Sequence, residues 1–172
     1  MGKIILSGYM GSGKSSVAKR LQEKMGLSLH DLDQTIETST QHSIAELFAQ
    51  KGEIYFRKLE HEILKELLRQ PQPFILSLGG GTPCYANNHE LLQANGIHWV
   101  YLKASPETLL DRIANDKTER PLLSGKKHSE LKDFIAQHLF ERSSFYNLAP
   151  YKVSTDGKTP DEIANEIILL LA

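Results

Sequence analysis

The stretch Gly8-Tyr9-Met10-Gly11-Ser12-Gly13-Lys14-Ser15 constrains this chain more than any other, because it satisfies the pattern G-x-x-x-x-G-K-[ST] at every fixed position. The apolar run Ile4-Ile5-Leu6 precedes it, and a helical spacing of Val17, Leu21 and Met25 follows. That strand, loop and helix order is the context the pattern requires. Glycines free of Cβ clashes let successive main-chain N–H groups turn inward around a phosphate. A helix starting near Lys14 adds its positive end at the same spot. The expected contacts of a triphosphate are therefore Gly11, Ser12, Gly13, Lys14, Ser15 and Ser16. Lys14 reaches the β/γ-phosphates, and the Ser15 hydroxyl suits Mg²⁺. The competing reading is a Gly/Ser turn that only joins a strand to a helix, and the flanking context disfavours it. Binding of a nucleoside triphosphate is implied.

At 172 residues the chain is expected to form one domain, residues 1–172, with room for a small inserted substrate module. A net charge of −1 offers no global basic field, which argues against nucleic acid or an anionic membrane as partner. The single cysteine, Cys84, excludes an internal disulfide and fits a reducing compartment; a small buried hydrophobe is its favoured reading. The N-terminus leads straight into a strand, leaving no room for a signal peptide. No apolar stretch approaches the ~20 residues of a spanning helix. A soluble, cytoplasmic protein is expected, and nothing marks an obligate interface, so a monomer is expected too.

Strand-like runs alternate with helical patterns almost from end to end, which predicts an α/β architecture around a mostly parallel sheet. The predicted strands are Lys3–Ser7, Ser28–Leu32, Phe74–Leu78, His98–Leu102 and Tyr151–Ser154. Gly26 closes the first helix. Ser43 is the predicted N-cap of Ile44–Gln50, with Glu46 completing a capping box. Ser105-Pro106 and Thr159-Pro160 each place a capping hydroxyl before a proline at the first helical position. Pro71-Gln72-Pro73 ends a long Glu53–Gln70 helix before the central strand. Two segments interrupt the alternation. Residues 33–60 insert extra helical material, a candidate acceptor-binding module. Residues 115–128 are polar, aperiodic and contain Pro and Gly, as a lid over a reactive phosphate would.

Asp31-Leu32-Asp33 lies at the carboxyl end of the second predicted strand, where ligands sit in open parallel sheets. If the segment stays extended, both carboxylates share one face. One then holds Mg²⁺ through its waters, and the other takes an acceptor hydroxyl. A pair of helix-capping acids is the competing reading, since helical material follows. The strand Phe74-Ile75-Leu76-Ser77-Leu78 is apolar enough to be central, and it ends in Gly79-Gly80-Gly81. Glycines there remove side chains where a ligand must approach the backbone closely.

With these motifs in order, the chain resembles the shikimate kinases, in the nucleoside-monophosphate-kinase-like branch of the P-loop NTPase fold. The resemblance is collinear over essentially the whole sequence. It runs through the loop at 8–15, Asp31-x-Asp33, Gly52-Glu53, Phe56-Arg57, Glu60, Ser77-Leu78-Gly79-Gly80-Gly81, Arg120-Pro121-Leu122-Leu123, and Glu141-Arg142 with Tyr146 downstream. It implies a three-layer α/β/α fold around a five-stranded parallel sheet, with acceptor-binding helices and a lid. It implies transfer of the γ-phosphoryl of ATP, with Mg²⁺, to the 3-hydroxyl of shikimate. Shikimate is a cyclohexene carboxylate carrying three hydroxyls, and an arginine fork clamps such a carboxylate bidentately. By resemblance the clamp is Arg57 and Arg142, with Glu60 orienting Arg57, while Asp33 and the backbone around Gly79, Gly80 and Gly81 meet the ring hydroxyls. Asp33 would align the 3-hydroxyl for in-line attack and is the candidate acceptor of its proton. Ser15 and Asp31 are the implied Mg²⁺ contacts. Lys14 and the lid residue Arg120 would neutralise charge on the phosphoryl group in transit. Arg112 and Lys158 correspond to the adenine-binding region, where the family commonly carries Arg in place of Lys158.

Taken alone, these cations have blander readings. Arg57 has Glu53 at i−4 and Glu60 at i+3, the spacing of a solvated salt-bridge face. Arg142 follows Glu141 on another predicted helix, and Arg120 sits in a polar loop. The seven histidines show no metal-ligand spacing and receive no role. Two other classes compete: a gluconate or nucleotide kinase with a different acceptor pocket, and a GTP-binding switch. Against the switch, the chain has no Asn-Lys-x-Asp motif; Asn115-Asp116-Lys117-Thr118 does not match it.

Overall fold

The computed structural model describes residues 2–116 and 125–172. Five strands form one parallel sheet: β1 (Lys3–Ser7), β2 (Ser28–Asp31), β3 (Phe74–Ser77), β4 (Ile97–Lys103) and β5 (Tyr151–Ser154). Their order across the sheet is β2-β3-β1-β4-β5. The helices are α1 (Lys14–Met25), α2 (Leu32–Thr40), α3 (Ile44–Lys51), α4 (Glu53–Arg69), α5 (Asn88–Leu92), α6 (Pro106–Asn115), α7 (His128–Tyr146) and α8 (Pro160–Leu171), with a short 3₁₀ turn at Thr82–Cys84. This is the expected three-layer α/β/α architecture.

Alternation along the strands divides the apolar residues between two cores. Ile4, Leu6, Ile75, Val100 and Leu102 face α1 and α8, packing on Val17, Leu21, Ile163 and Ile167. Ile5, Phe74, Leu76, Trp99 and Tyr101 face the other way, onto Leu64, Leu109, Ile135 and Tyr146 from α4, α6 and α7. The inner strands β1, β3 and β4 are buried on both faces, which is why they read as near-continuous apolar runs, whereas the edge strands β2 and β5 are partly exposed. One polar pair crosses this core: the Trp99 indole N–H donates to Ser7 Oγ at 2.7 Å.

The predicted helix ends are present. Gly26 follows α1 as its C-cap. Ser43 and Glu46 form a reciprocal capping box on α3, and Thr159 and Glu162 form one on α8. Ser105 caps α6 ahead of Pro106.

The one consequential departure lies at residue 32. The chain leaves the extended conformation after Asp31, whose carboxylate accepts a hydrogen bond from Gln34 N at 3.0 Å and so caps α2. Asp33 is therefore in the first turn of a helix, and strand alternation is not what relates it to Asp31. The cap won because an Asx side chain offers the backbone amides a partner that a continued strand would leave unmet. Residues 33–60 form α2, α3 and the first half of α4, an inserted layer beyond β2.

The strand order brings the two glycine-bearing motifs together. β1 and β3 are neighbours, paired from Ile4↔Ile75 through Leu6↔Ser77 and extended by Leu78 N donating to Leu6 O at 3.0 Å. The connections leaving their carboxyl ends run to opposite faces, so a crevice opens between them. The loop at 8–15 leaves β1 and the glycines at 79–81 leave β3, so the two lie side by side.

Candidate active site

The nucleotide side is built from main chain. Gly11 and Gly13 take φ of 81° and 96°, the left-handed region in which a side chain is strained. Among the described residues no side chain caps α1 at Gly13, and its first turn contains no acidic residue. In contrast to α3, α6 and α8, this helix start leaves its amides to an external anion. Ser15 and Ser16 stand exposed at that end. Lys14 lies back over the loop, its Nζ donating to Gly8 O at 2.6 Å and Tyr9 O at 3.1 Å. From α6, Arg112 Nη1 donates to Ser12 O at 3.0 Å and to Thr155 Oγ1 at 3.2 Å, and Nη2 donates to Thr155 O at 3.2 Å. It thereby bolts the loop to the turn after β5. Lys158, in that same turn, is paired with Glu166 at 2.6 Å.

The acceptor side is built from side chains that converge on the glycine triplet. A Cβ added at Gly79 would stand 3.0 Å from Asp33 Oδ1. One at Gly80 would stand 3.0 Å from Arg142 Nη1, and one at Gly81 would stand 2.8 Å from Arg57 Nη2. Gly80 also lies against the nucleotide loop, its would-be Cβ 3.7 Å from Met10 N. Three consecutive positions therefore each receive one of the sequence-predicted charged groups, and any side chain there would displace it. The approach is tightest at Gly81; at Gly79 and Gly80 the charged group would have to yield by a few tenths of an ångström to any side chain.

Each charged group is held from behind. Arg57 is in α4, its Nη1 2.9 Å from Glu60 Oε1 and its guanidinium stacked 3.9 Å from the Tyr85 ring centroid. Its side chain is only 15% exposed, so the solvated salt-bridge face does not describe it. Arg142 is in α7, 5.8 Å from the ring centroid of Tyr9. Tyr146, one turn on, donates its hydroxyl to Gly80 O at 2.5 Å and is raised well above its ordinary pKa, chiefly by burial. The Asp33 carboxyl is pushed up to about 6, first by burial and then by the nearby charges of Asp31 and Glu60, with Lys14 pulling the other way. A carboxylate so placed is poised to exchange a proton near neutral pH.

Several members of the site carry no local signal in the sequence. Tyr9 Oη lies 3.0 Å from His138 Nδ1, tying the nucleotide loop to α7. Burial and the Arg142 guanidinium keep His138 below its ordinary pKa. Glu60 is buried, as are Thr82 and Asn88 beside it. Glu60 is legible at i+3 from Arg57, but its burial against Thr82 and Asn88 comes from the meeting of α4, α5 and the 3₁₀ turn, which no spacing in the chain reports. Cys84 is half-buried against the core with its thiol pushed up to about 11 by burial, as an inert small residue should be. Arg120 and most of the predicted lid lie outside the described residues.

Among the described residues no group of three or more His, Cys, Asp or Glu could hold a metal by itself. Ser15 and Asp31 fit Mg²⁺ only as minor contributors to a shell made mostly of phosphate and water oxygens, the usual habit of that ion. Asp31 already gives one oxygen to Gln34 N. A hollow of about 360 Å³ lies at the outer β2–α2 edge, lined by His30, Asp31, Thr35 and Ser39 among others. It contains none of the convergent cations. No helix among the described residues is long and apolar enough to cross a membrane.

Comparison with known proteins agrees with this geometry. A family model described as shikimate kinase matches residues 10–172. The shikimate kinase of Flavobacterium johnsoniae is 52% identical over 172 residues, covering 100% of both chains. The crystal structure of shikimate kinase from Bacteroides thetaiotaomicron superposes with a TM-score of 0.91 at 34% identity, covering 99% of this chain and 98% of that one. Shikimate kinase from Acinetobacter baumannii in complex with shikimate gives a TM-score of 0.88 at 32% identity, over 99% and 93% of the two chains. With a glycine triplet that gathers Asp33, Arg57 and Arg142 beside the loop at 8–15, a family model matching residues 10–172 and a shikimate kinase 52% identical over its full length, the chain belongs to the shikimate kinase family.

Proposed function

We propose that this protein transfers the γ-phosphoryl group of ATP to the 3-hydroxyl of shikimate, giving shikimate 3-phosphate and ADP. The observation that carries the proposal is the convergence of Asp33, Arg142 and Arg57 on Gly79, Gly80 and Gly81, next to the loop at 8–15. The triphosphate lies along the amides of Gly11 to Ser16, with Lys14 on the β/γ-phosphates and Arg112 fixing the loop's outer rim near the adenine. Lys158 borders the adenine through its backbone. The acceptor carboxylate is gripped by Arg57 and Arg142, whose planar forks suit two oxygens in one plane. Its ring hydroxyls meet Asp33 and the glycine backbone.

Phosphoryl transfer asks the protein for positioning and for electrostatic support. Asp33 aligns the 3-hydroxyl and accepts its proton as the oxygen attacks. With a pKa of about 6 it is ionised at neutral pH yet basic enough to take that proton. Lys14 stabilises charge on the transferring group, and Arg120 joins it from the lid. Mg²⁺ bound with ATP would be held by Ser15 directly and by Asp31 through water, and it neutralises β/γ-phosphate charge. The half-buried thiol of Cys84 suits a reducing compartment such as the cytoplasm, and the chain acts as a monomer.

A coupled ADP-release assay with shikimate, gluconate and AMP offered separately tests the reading. Turnover is expected with shikimate and not with the other two; nucleotide turnover indifferent to shikimate would overturn it.

A further inference from the structure

Glu60 has 1% of its surface exposed, and a carboxylate so far from water must have both oxygens satisfied. Oε1 takes Arg57 Nη1 at 2.9 Å, and Oε2 takes the Thr82 hydroxyl at 2.9 Å. Thr82 is fully buried, and its carbonyl accepts from Asn88 Nδ2 at 2.9 Å. That bond fixes the orientation of the Asn88 amide, since a carbonyl needs a donor. The amide oxygen then faces His61 Nδ1 at 2.7 Å, so His61 holds its proton on Nδ1. His61 adjoins Glu60 on α4. The chain of bonds thus leaves α4, crosses the 3₁₀ turn and α5, and returns to α4 one residue from its origin.

Arg57 is where this ring meets the acceptor side. Its Nη1 is committed to Glu60, its Nε lies 3.6 Å from Glu53 Oε1, beyond a good hydrogen bond, and its Nη2 is directed at Gly81. A guanidinium grips two oxygens only if its plane is held to within roughly 10–20°. Glu60 sets that plane, and Thr82 is what stops Glu60 from turning. We propose that Thr82, Asn88 and His61 are positioning residues that aim Arg57 and so determine how tightly the site holds a carboxylate-bearing acceptor. The inference rests on Arg57 being part of the carboxylate clamp.

Steady-state kinetics on the full chain, varying shikimate and ATP in turn, separates the possibilities. Thr82→Val removes the hydroxyl at nearly constant volume and should raise the shikimate KM about tenfold, with kcat and the ATP KM within about twofold of the parent. Thr82→Ser keeps the hydroxyl and should restore the shikimate KM to within about twofold of the parent. His61→Leu, at a half-buried position, removes the donor to Asn88 Oδ1 at the far end of the ring and should raise the shikimate KM about threefold. Arg57→Lys is the control for the clamp itself. If Arg57→Lys raises the shikimate KM while Thr82→Val and His61→Leu lower only the melting temperature, the ring is merely structural and the proposal fails. If Arg57→Lys leaves the shikimate KM unchanged, the clamp assignment fails and takes this inference with it.

Discussion

The two halves of the active site are built by opposite means. The nucleotide half is built chiefly from one continuous stretch of chain, the loop at 8–15 and the first turn of α1, offering main-chain amides at an uncapped helix start and braced by Arg112 from α6. The acceptor half takes Asp33 from α2, Arg57 and Glu60 from α4, and Arg142 and Tyr146 from α7, meeting at the turn after β3. A main-chain site needs only the right φ angles and follows its own sequence wherever it goes. A convergent site depends on every element that carries a member. On the proposed reading, the nucleotide half follows a pattern that serves a whole class of enzymes, whereas the acceptor half would define which alcohol is phosphorylated.

The sharpest way to break this contrast is at Lys14, the side chain on which the nucleotide half depends most. Lys14→Met should lower kcat by at least about 10³-fold, because a preorganised charge at the transferring group is lost. The fold should survive, since Lys14 is only half-buried and adds no side chain to either apolar core. Circular dichroism and a thermal melt beside the kinetics check both halves of the statement. Retained turnover would remove Lys14 from the chemistry.

Asp33 stands at the seam between the halves, and its burial makes opposite demands on activity and stability. Turnover should decline as pH falls through about 6, where the carboxyl takes up a proton and ceases to be a base. Asp33→Asn should cost on the order of 10²-fold in kcat and abolish that acidic limb. For stability the sign reverses. The folded chain holds the proton up to about pH 6, whereas the unfolded carboxyl releases it near 3.8, so the folded state binds more protons between those values. Stability from this group therefore falls as pH rises from 3.8 to about 6, and the full cost is present at pH 7. Asp33→Asn should raise the melting temperature at pH 7 by roughly 5 °C and change it little near pH 3. A variant that is inactive and also less stable at pH 7 would mean that burial is not what shifts this carboxyl.

Legibility in the sequence divides the same way. The inner strands are readable because burial on both faces makes Ile4-Ile5-Leu6 and Phe74–Leu78 continuous apolar runs, and Ser43, Ser105 and Thr159 announce their helices within three or four residues. The nucleotide loop was readable for the same local reason. At Asp31-Leu32-Asp33 two local rules conflicted, strand continuation and an Asx cap, and the cap prevailed. Arg57 illustrates the harder case. Its spacing from Glu53 and Glu60 is that of a solvated ion-pair face, and only burial of Glu60 against Thr82 distinguishes the two. That contact joins residues 22 positions apart and leaves no periodic trace.

The smallest effect sought tests the outer limit of the nucleotide half. Lys158 stands where the family commonly carries arginine, and a planar guanidinium there would stack on a base as an ammonium cannot. Here its Nζ is 2.6 Å from Glu166 Oε2, with both side chains about a third exposed (34% and 39%). Its backbone N donates to Thr155 O at 3.3 Å, a bond any residue other than proline would make. If the adenine borders this turn as proposed, it would meet the main chain at this position rather than the side chain. A half-exposed ion pair is worth at most about 1 kcal/mol, so Lys158→Ala should change the ATP KM by less than about fivefold and the shikimate KM not at all. Lys158→Arg should leave the ion pair in place and change the ATP KM still less, unless the longer side chain abandons Glu166 for the base. A larger loss on Lys158→Ala would mean that the nucleotide half relies on a further distant side chain beyond the Arg112 brace, and the contrast between the two halves would narrow to a difference of degree.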